Sequence, residues 1–289
     1  LRCVMPELPE VETVRLGLAP ALEGQKIAHA EVRRKDLRIP FPKGLAKWLL
    51  GRRIEGLRRR AKYLLVDFVD TDEMLLIHLG MSGHMTVTGP GGTNQMAQSS
   101  PHDHVVIETT NGARVVFNDP RRFGLMTLVD RNKAHLHPLL RDLGPEPLDA
   151  VFNADLLVDR LAGRGTAIKA ALLDQHVVAG LGNIYVCEAL FRAGISPKRK
   201  AGNVGPVRAR RLVHAIKDVL TEAIASGGST LRDHVQPTGE LGYFQHNFSV
   251  YGREGEACPG CDCDGVKTKG VRRIKQGGRS TFYCPSRQR

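Results

Sequence analysis

A chain of 289 residues has room for two domains, and its 42% hydrophobic and 25% charged fractions are those of a globular protein with a sizeable core. Forty-two Lys and Arg against 30 Asp and Glu leave a net charge of +12, which points to a polyanionic partner, nucleic acid first. No run of about 18 apolar residues could cross a membrane, and the first residues lack the apolar core of a secretory signal, so a cytoplasmic protein is expected.

The first element is a helix. After Pro9, the residues Val11, Val14 and Leu18 recur at helical spacing, with Glu10 and Glu12 in the first turn, where the helix dipole favours them. From there to about residue 130 the texture is that of an antiparallel β-domain. Segments 26–39, 53–69, 73–80, 104–109 and 114–118 are rich in Val, Ile and Leu and broken by turns, and Asn111-Gly112 is a strong hairpin signal. A basic run of six Lys/Arg and one Glu occupies residues 52–62. From 136 to 226 the periodicity becomes helical, around 153–162, 167–174, 183–193 and 206–225. A turn-rich loop follows. The last ~40 residues hold too few large apolar side chains for a core of their own and need a staple. Cys258, Cys261, Cys263 and Cys284 lie there, with eight Lys/Arg and no acid in 265–289. In a cytoplasmic chain such a cluster points to metal rather than disulfides. Cys3 and Cys187 need no special role.

Residue by residue, the chemistry is ambiguous. Pro6 and Pro9 suit a helix start, with Glu7 a carboxylate at the positive end. Lys62 suits a strand edge, and Met81 and Phe123 suit core packing. His102 and His104 alternate on a strand and share a face that a metal could use, but no third ligand lies nearby. Gly180-Leu181-Gly182-Asn183 ends one helix and opens the next, with Asn183 as cap. Such a turn either offers backbone N–H groups to an anion or is a plain helix–helix turn.

Taken together and in order, several motifs resemble the bacterial formamidopyrimidine-DNA glycosylases of the formamidopyrimidine/endonuclease VIII family. They are Met5-Pro6-Glu7-Leu8-Pro9-Glu10-Val11-Glu12, His78-Leu79-Gly80-Met81-Ser82-Gly83, Asp119-Pro120-Arg121-Arg122-Phe123-Gly124, Gly180-Leu181-Gly182-Asn183-Ile184-Tyr185 and Gly278-Arg279-Ser280-Thr281-Phe282-Tyr283-Cys284. The resemblance runs over nearly the whole chain from Met5. It implies an α+β fold in three domains: an N-terminal helix plus antiparallel β-sandwich at 5–135, a helix–two-turns–helix domain at 136–245, and a zinc-finger-like β-hairpin at 246–289. It implies a monomeric glycosylase and abasic-site lyase of base excision repair. Such an enzyme removes oxidised purines (8-oxoguanine, formamidopyrimidines) from double-stranded DNA and cuts the strand by β,δ-elimination through a Schiff base.

By the same resemblance Pro6 is the nucleophile, Glu7 the acid, and Lys62 and Arg279 assist elimination through phosphate contact. His102, Arg121, Arg164, Lys169, Asn183 and Arg232 contact DNA, and Met81, Arg121 and Phe123 fill the gap left by an extruded base. A proline nitrogen inside a chain is an imide without basicity, whereas a terminal amine titrates near about 8 and can attack C1′. We therefore expect synthesis to begin at Met5, Met5 to be trimmed, and Leu1 through Val4 to be missing from the working enzyme. Leu8, where endonuclease VIII-like relatives commonly carry glycine, leans towards purines. An oxidised-pyrimidine glycosylase and a catalytically inactive DNA-binding relative are the alternatives. The family's zinc hairpin has two C-x2-C pairs. Cys258-Pro259-Gly260-Cys261 supplies one, but Cys284-Pro285-Ser286-Arg287 puts Arg287, which cannot ligate zinc, in the fourth-ligand position. Cys263 restores four thiols for one ion, and a zinc-free hairpin held by packing is the alternative.

Overall fold

The structure, a computed structural model, describes residues 5–92, 99–229, 237, 242–261 and 270–289. By contact the chain divides into two units, Leu1–Arg141 with Ser226–Tyr243, and Asp142–Ala225 with Phe244–Arg289.

In the first unit α1 (Leu8–Leu22) buries Val11, Val14, Leu18 and Leu22 as its spacing predicts. Eight strands follow: β1 (Ile27–Val32), β2 (Ile54–Arg60), β3 (Tyr63–Phe68), β4 (Glu73–His78), β5 (His84–Thr88), β6 (Asp103–Thr109), β7 (Arg114–Asn118) and β8 (Leu125–Asp130), with the short helix α2 (Leu45–Leu49) after β1. They form two four-stranded antiparallel sheets, β1-β6-β7-β5 and β2-β3-β4-β8. A shared core of Val14, Leu18, Ile54, Leu64, Leu75, Val87, Val105, Val115 and Phe117 lies among the sheets and α1. The Asn111-Gly112 turn joins β6 to β7 as expected.

Segment 53–69 is two strands rather than one. The chain reverses at Ala61-Lys62, where Ala61 takes the left-handed conformation at φ 53° and Arg60 pairs with Tyr63. Arg59 braces this turn: it donates to the Ala61 carbonyl at 3.0 Å and to Glu12 of α1 at 2.9 Å.

The second unit holds α3 (Ala154–Leu161), α4 (Ile168–Leu173), α5 (Asn183–Arg192), α6 (Pro206–Ala225) and the hairpin β9 (Arg272–Gln276) and β10 (Arg279–Tyr283). Helix α5 is its axis, with Ile184 through Phe191 buried. Glu188, in the middle of α5, is fully buried, and its carboxylate accepts from the backbone N–H groups of Ser249, Val250 and Tyr251 at 2.8, 3.0 and 2.8 Å. Burial pushes that carboxyl above its usual range against those bonds.

The C-terminal segment finds its core outside itself. The hairpin borrows one: Phe282 and Cys284 pack with Val250, Cys258 and Val271 against Cys187 and Phe191 of α5. Tyr251 meets Phe282 edge-on, with ring centroids 5.1 Å apart. Gln288 then ties the chain end down, accepting from Cys284 N at 2.8 Å and donating to Ile195 O at 3.0 Å. Among the described residues no helix is long and apolar enough to cross a membrane.

Candidate functional site

At the head of α1, Pro6 is buried and Glu7 is the N-cap. Glu7 and Glu10 form a reciprocal capping box, the Glu10 carboxylate accepting from Glu7 N–H at 2.9 Å. The other Glu10 oxygen accepts from both Ser229 N–H and Ser229 Oγ at 2.9 Å. Two buried carboxylates thus sit at the positive end of a 15-residue helix, beside the proline nitrogen. Glu10 is a positioning group that spacing alone reads only as a first-turn acid; its partner lies 219 residues away.

Lys62 is 6% exposed in the β2–β3 turn. His78, at the end of β4 and paired across the sheet with Tyr63, is a functional candidate that motif reading left without a role. Its Nδ1 accepts from Gly80 N–H at 2.9 Å, so in the neutral ring Nε2 carries the hydrogen. Burial, then the positive charges of Lys62 and Arg38, lower its pKa from 6.5 to about 4. A neutral hydrogen-bond donor therefore stands in the field of Lys62.

Met81 and the pair Arg121 and Phe123 lie on two loops, 79–83 and 119–124. Phe123 is 43% exposed, and the Arg121 guanidinium sits 5.0 Å from its ring centroid. A large exposed aromatic under a cation suits a wedge better than a core position. His102 is exposed, with its carbonyl accepting from Asp119 N–H. His104 is buried and donates from Nε2 to the Asp119 carbonyl at 2.8 Å, so the two histidines do not present a common open face.

In the second unit the turn from α4 to α5 is held by Gln175, which donates to Leu181 O and accepts from Gly180 N–H, each at 2.9 Å. Gly182, not Asn183, is the N-cap of α5. Asn183 is the first helical residue, and its Nδ2 donates to the Ser280 carbonyl at 2.9 Å. Lys169 is corrected more sharply. It is 0% exposed, and its Nζ donates to Ser280 O at 2.9 Å and to Thr281 Oγ1 at 2.6 Å. A fully buried ammonium with these partners grips β10 rather than an open DNA backbone. Arg164, partly exposed, bonds Asp174 at 3.1 Å. Arg279 is exposed beside the two-residue turn Gly277-Gly278, whose φ values of 53° and 76° are those of a type I′ hairpin that only such residues adopt freely. Lys169 and Asn183 therefore fix the residue next to the one expected to meet phosphate.

Cys258, Cys261 and Cys284 have Sγ atoms within 4.8 Å of one another, so they could hold a metal ion. Four ligands at the usual zinc–sulfur length of about 2.3 Å lie roughly 3.8 Å apart; the Cys261–Cys284 separation of 3.6 Å is close to this, while Cys258 and Cys261, at 3.0 Å, must open to take an ion between them. Arg287 takes the fourth position without ligating. Its Nη1 donates to Gly260 O at 2.7 Å and its guanidinium lies 4.9 Å from the Phe191 ring centroid. Arg232 and Cys263, both expected in the site, lie outside the described residues.

Comparison with known proteins adds a direct line of evidence. The family model for the formamidopyrimidine-DNA glycosylase N-terminal domain matches residues 5–126, and that for the H2TH domain of the same enzymes matches residues 143–235. The chain is 60% identical over 288 residues to the formamidopyrimidine-DNA glycosylase of Ruegeria pomeroyi, covering 99% of this chain and 100% of the relative, and 59% identical over 285 residues to that of Rhodospirillum rubrum, with the same coverage. Among solved structures it resembles the Fpg protein of Thermus thermophilus, with a TM-score of 0.83, 39% identity and 98% of each chain covered. It also resembles a Lactococcus lactis Fpg mutant in complex with Fapy-dG-containing DNA, with a TM-score of 0.86, 34% identity, and 98% of this chain and 100% of that one covered. The Lactococcus lactis enzyme with abasic-site DNA gives a TM-score of 0.85 at 33% identity, over 98% of this chain and 99% of that one.

Proposed function

Because the chain belongs to the formamidopyrimidine-DNA glycosylase family, we propose that it is a base-excision-repair enzyme that removes oxidised purines from double-stranded DNA and cuts the strand at the resulting abasic sugar. The observation that carries this reading is the head of α1, where Pro6 precedes two buried carboxylates that hold each other's backbone. Relatives named for Fapy-dG and abasic-site DNA support the substrate class.

The nucleophile is the secondary amine of Pro6, free only when nothing precedes it. Its lone pair attacks C1′ of a nucleotide turned out of the stack. The glycosidic bond breaks, and the damaged base leaves with the proton that the Pro6 nitrogen gives up on bonding to C1′. Glu7 delivers a proton to O4′ as the sugar ring opens, leaving an iminium between Pro6 nitrogen and C1′. The iminium acidifies the C2′ hydrogen; its loss expels the 3′ phosphate, and a second elimination expels the 5′ phosphate. Lys62 and Arg279 hold phosphates during these steps, and the neutral His78 ring adds a hydrogen-bond donor without further charge. His102, Arg164, Asn183 and Arg232 contact the backbone, while Met81, Arg121 and Phe123 occupy the vacated stack.

We also infer one zinc ion on Cys258, Cys261, Cys263 and Cys284. When bound it would tie Cys258 and Cys261 to Cys284, the residue that follows β10, and would supply no chemistry to the reaction. Lys169 acts on the hairpin from beneath. The enzyme works in the cytoplasm, on chromosomal DNA. Excision rates compared on duplexes carrying 8-oxoguanine or thymine glycol test the substrate claim. Faster release of 8-oxoguanine is expected, and equal or reversed rates would assign the chain to oxidised pyrimidines.

A further inference from the structure

Asp119 has no part in the chemistry above, yet it is 0% exposed and every polar atom it carries is engaged. Its Oδ1 accepts from Ser82 Oγ at 2.6 Å, across 37 residues of sequence, and its Oδ2 accepts from Gly124 N–H at 2.7 Å. Its own N–H donates to His102 O, and its carbonyl accepts from Arg122 N–H and from His104 Nε2. Ser82 Oγ, having given its hydrogen to Asp119, accepts in turn from Arg121 N–H at 3.1 Å.

A carboxylate that only capped its own turn would bond the amides following it. Here one oxygen leaves the turn for Ser82, and the Ser82 hydroxyl returns the link to Arg121. The ring so formed has Met81 on one side and Arg121 and Phe123 on the other. The backbones of the two loops also touch. Gly80, at φ 70°, faces the Phe123 carbonyl group and Gly124 N so closely that a Cβ there would overlap both. Arg122, between the two outward-facing residues, is held left-handed at φ 59°.

We propose that Asp119, with Ser82, is the positioning residue that locks the Met81 loop to the Arg121–Phe123 loop, so that the three side chains enter the DNA stack as one preset wedge. This rests on the reading of those three residues as gap fillers. The buried carboxylate acts before DNA arrives: it fixes the relative placement of the loops, so that ordering them costs nothing at the moment of base extrusion.

The test uses Asp119→Asn and Ser82→Ala in the full-length protein, beside Met81→Ala and Phe123→Ala. Each is assayed on a lesion duplex, on a single-stranded abasic oligonucleotide that has no stack to fill, and by fluorescence of 2-aminopurine opposite the lesion. Asp119→Asn and Ser82→Ala should each slow excision from the duplex about 10- to 100-fold, as expected when reacting groups are misplaced by about an ångström. They should also abolish the 2-aminopurine rise and leave single-strand cleavage within about twofold. In the Met81→Ala, Phe123→Ala background, Asp119→Asn should add nothing.

Equal losses on duplex and single strand, or full activity of Ser82→Ala on the duplex, would overturn the proposal. Should Asp119→Asn fail to fold, Ser82→Ala decides, since it leaves the Asp119–Gly124 bond in place. If Met81→Ala and Phe123→Ala themselves leave the fluorescence and duplex rate unchanged, the gap-filling reading fails, whatever Asp119 does.

Discussion

His78 allows a stability prediction with a sign and a size. In the unfolded chain its imidazole titrates near 6.5; in the fold, burial and the neighbouring charges of Lys62 and Arg38 lower that to about 4. Each pH unit of that gap is worth about 1.4 kcal/mol, so keeping the ring neutral contributes about 3 kcal/mol at most. Because the folded pKa is the lower one, the unfolded chain binds more protons between these values. The contribution is complete above pH 6.5 and is lost as the pH falls to about 4. The perturbation is His78→Asn, whose amide oxygen can accept from Gly80 N–H without titrating. Urea denaturation of both proteins at intervals from pH 7.5 to 4 gives the difference directly. The advantage of the wild type should shrink by about 3 kcal/mol across that span, and the His78 ring signal in NMR should stay neutral until near pH 4. Parallel stability curves, or a ring titrating near 6.5, would refute the reasoning. The excision rate should likewise show no inflection near 6.5 from this group.

Glu7→Gln should slow ring opening, read as formation of the borohydride-trappable iminium, about 100- to 10,000-fold, the range for losing a positioned proton donor, with little change in melting temperature; a rate near wild type would remove Glu7 from the acid's role. Lys169→Met takes from Thr281 Oγ1 the ammonium that donates to it and leaves Ser280 O the bond from Asn183, at a cost of about 1–3 kcal/mol. Faster amide hydrogen exchange in β9 and β10, with weaker DNA binding, is the expected sign, and unchanged exchange counts against Lys169 as the hairpin's anchor. Native mass spectrometry should find one zinc per chain, and its removal by a chelator should weaken DNA binding; a metal-free chain with full affinity would leave the hairpin to packing and to the bonds of Lys169, Asn183 and Arg287.

Where one segment carries its own signal, the sequence was legible. Helix α1 follows from Val11, Val14 and Leu18, the β6–β7 hairpin from Asn111-Gly112, and α3 to α6 from their periodicity, each within a residue or two. Strands β5 and β8 escaped because five or six residues such as HMTVT and LMTLVD carry too little pattern to stand out. The β2–β3 reversal escaped because Ala61, not glycine or asparagine, holds the left-handed position. The candidate reactive residues could be named from ordered motifs, but the groups that hold them could not. Glu10 meets Ser229, Ser82 meets Asp119, and Lys169 meets Ser280 only through the fold. The lysine is a case in point: the resemblance implied a DNA contact, and the fold buries its ammonium against Ser280 and Thr281 of β10. The hairpin's core was hidden for the same reason, since Cys187 and Phe191 of α5 complete it.

Pro6 as the nucleophile is the central claim, and borohydride trapping on lesion DNA tests it most directly when followed by intact and peptide mass analysis. The account predicts a protein beginning at Pro6 and one stable adduct, the reduced sugar carried on the Pro6 nitrogen. A natively expressed chain still beginning at Leu1 that excises the lesion, or an adduct on a lysine such as Lys62, would contradict it.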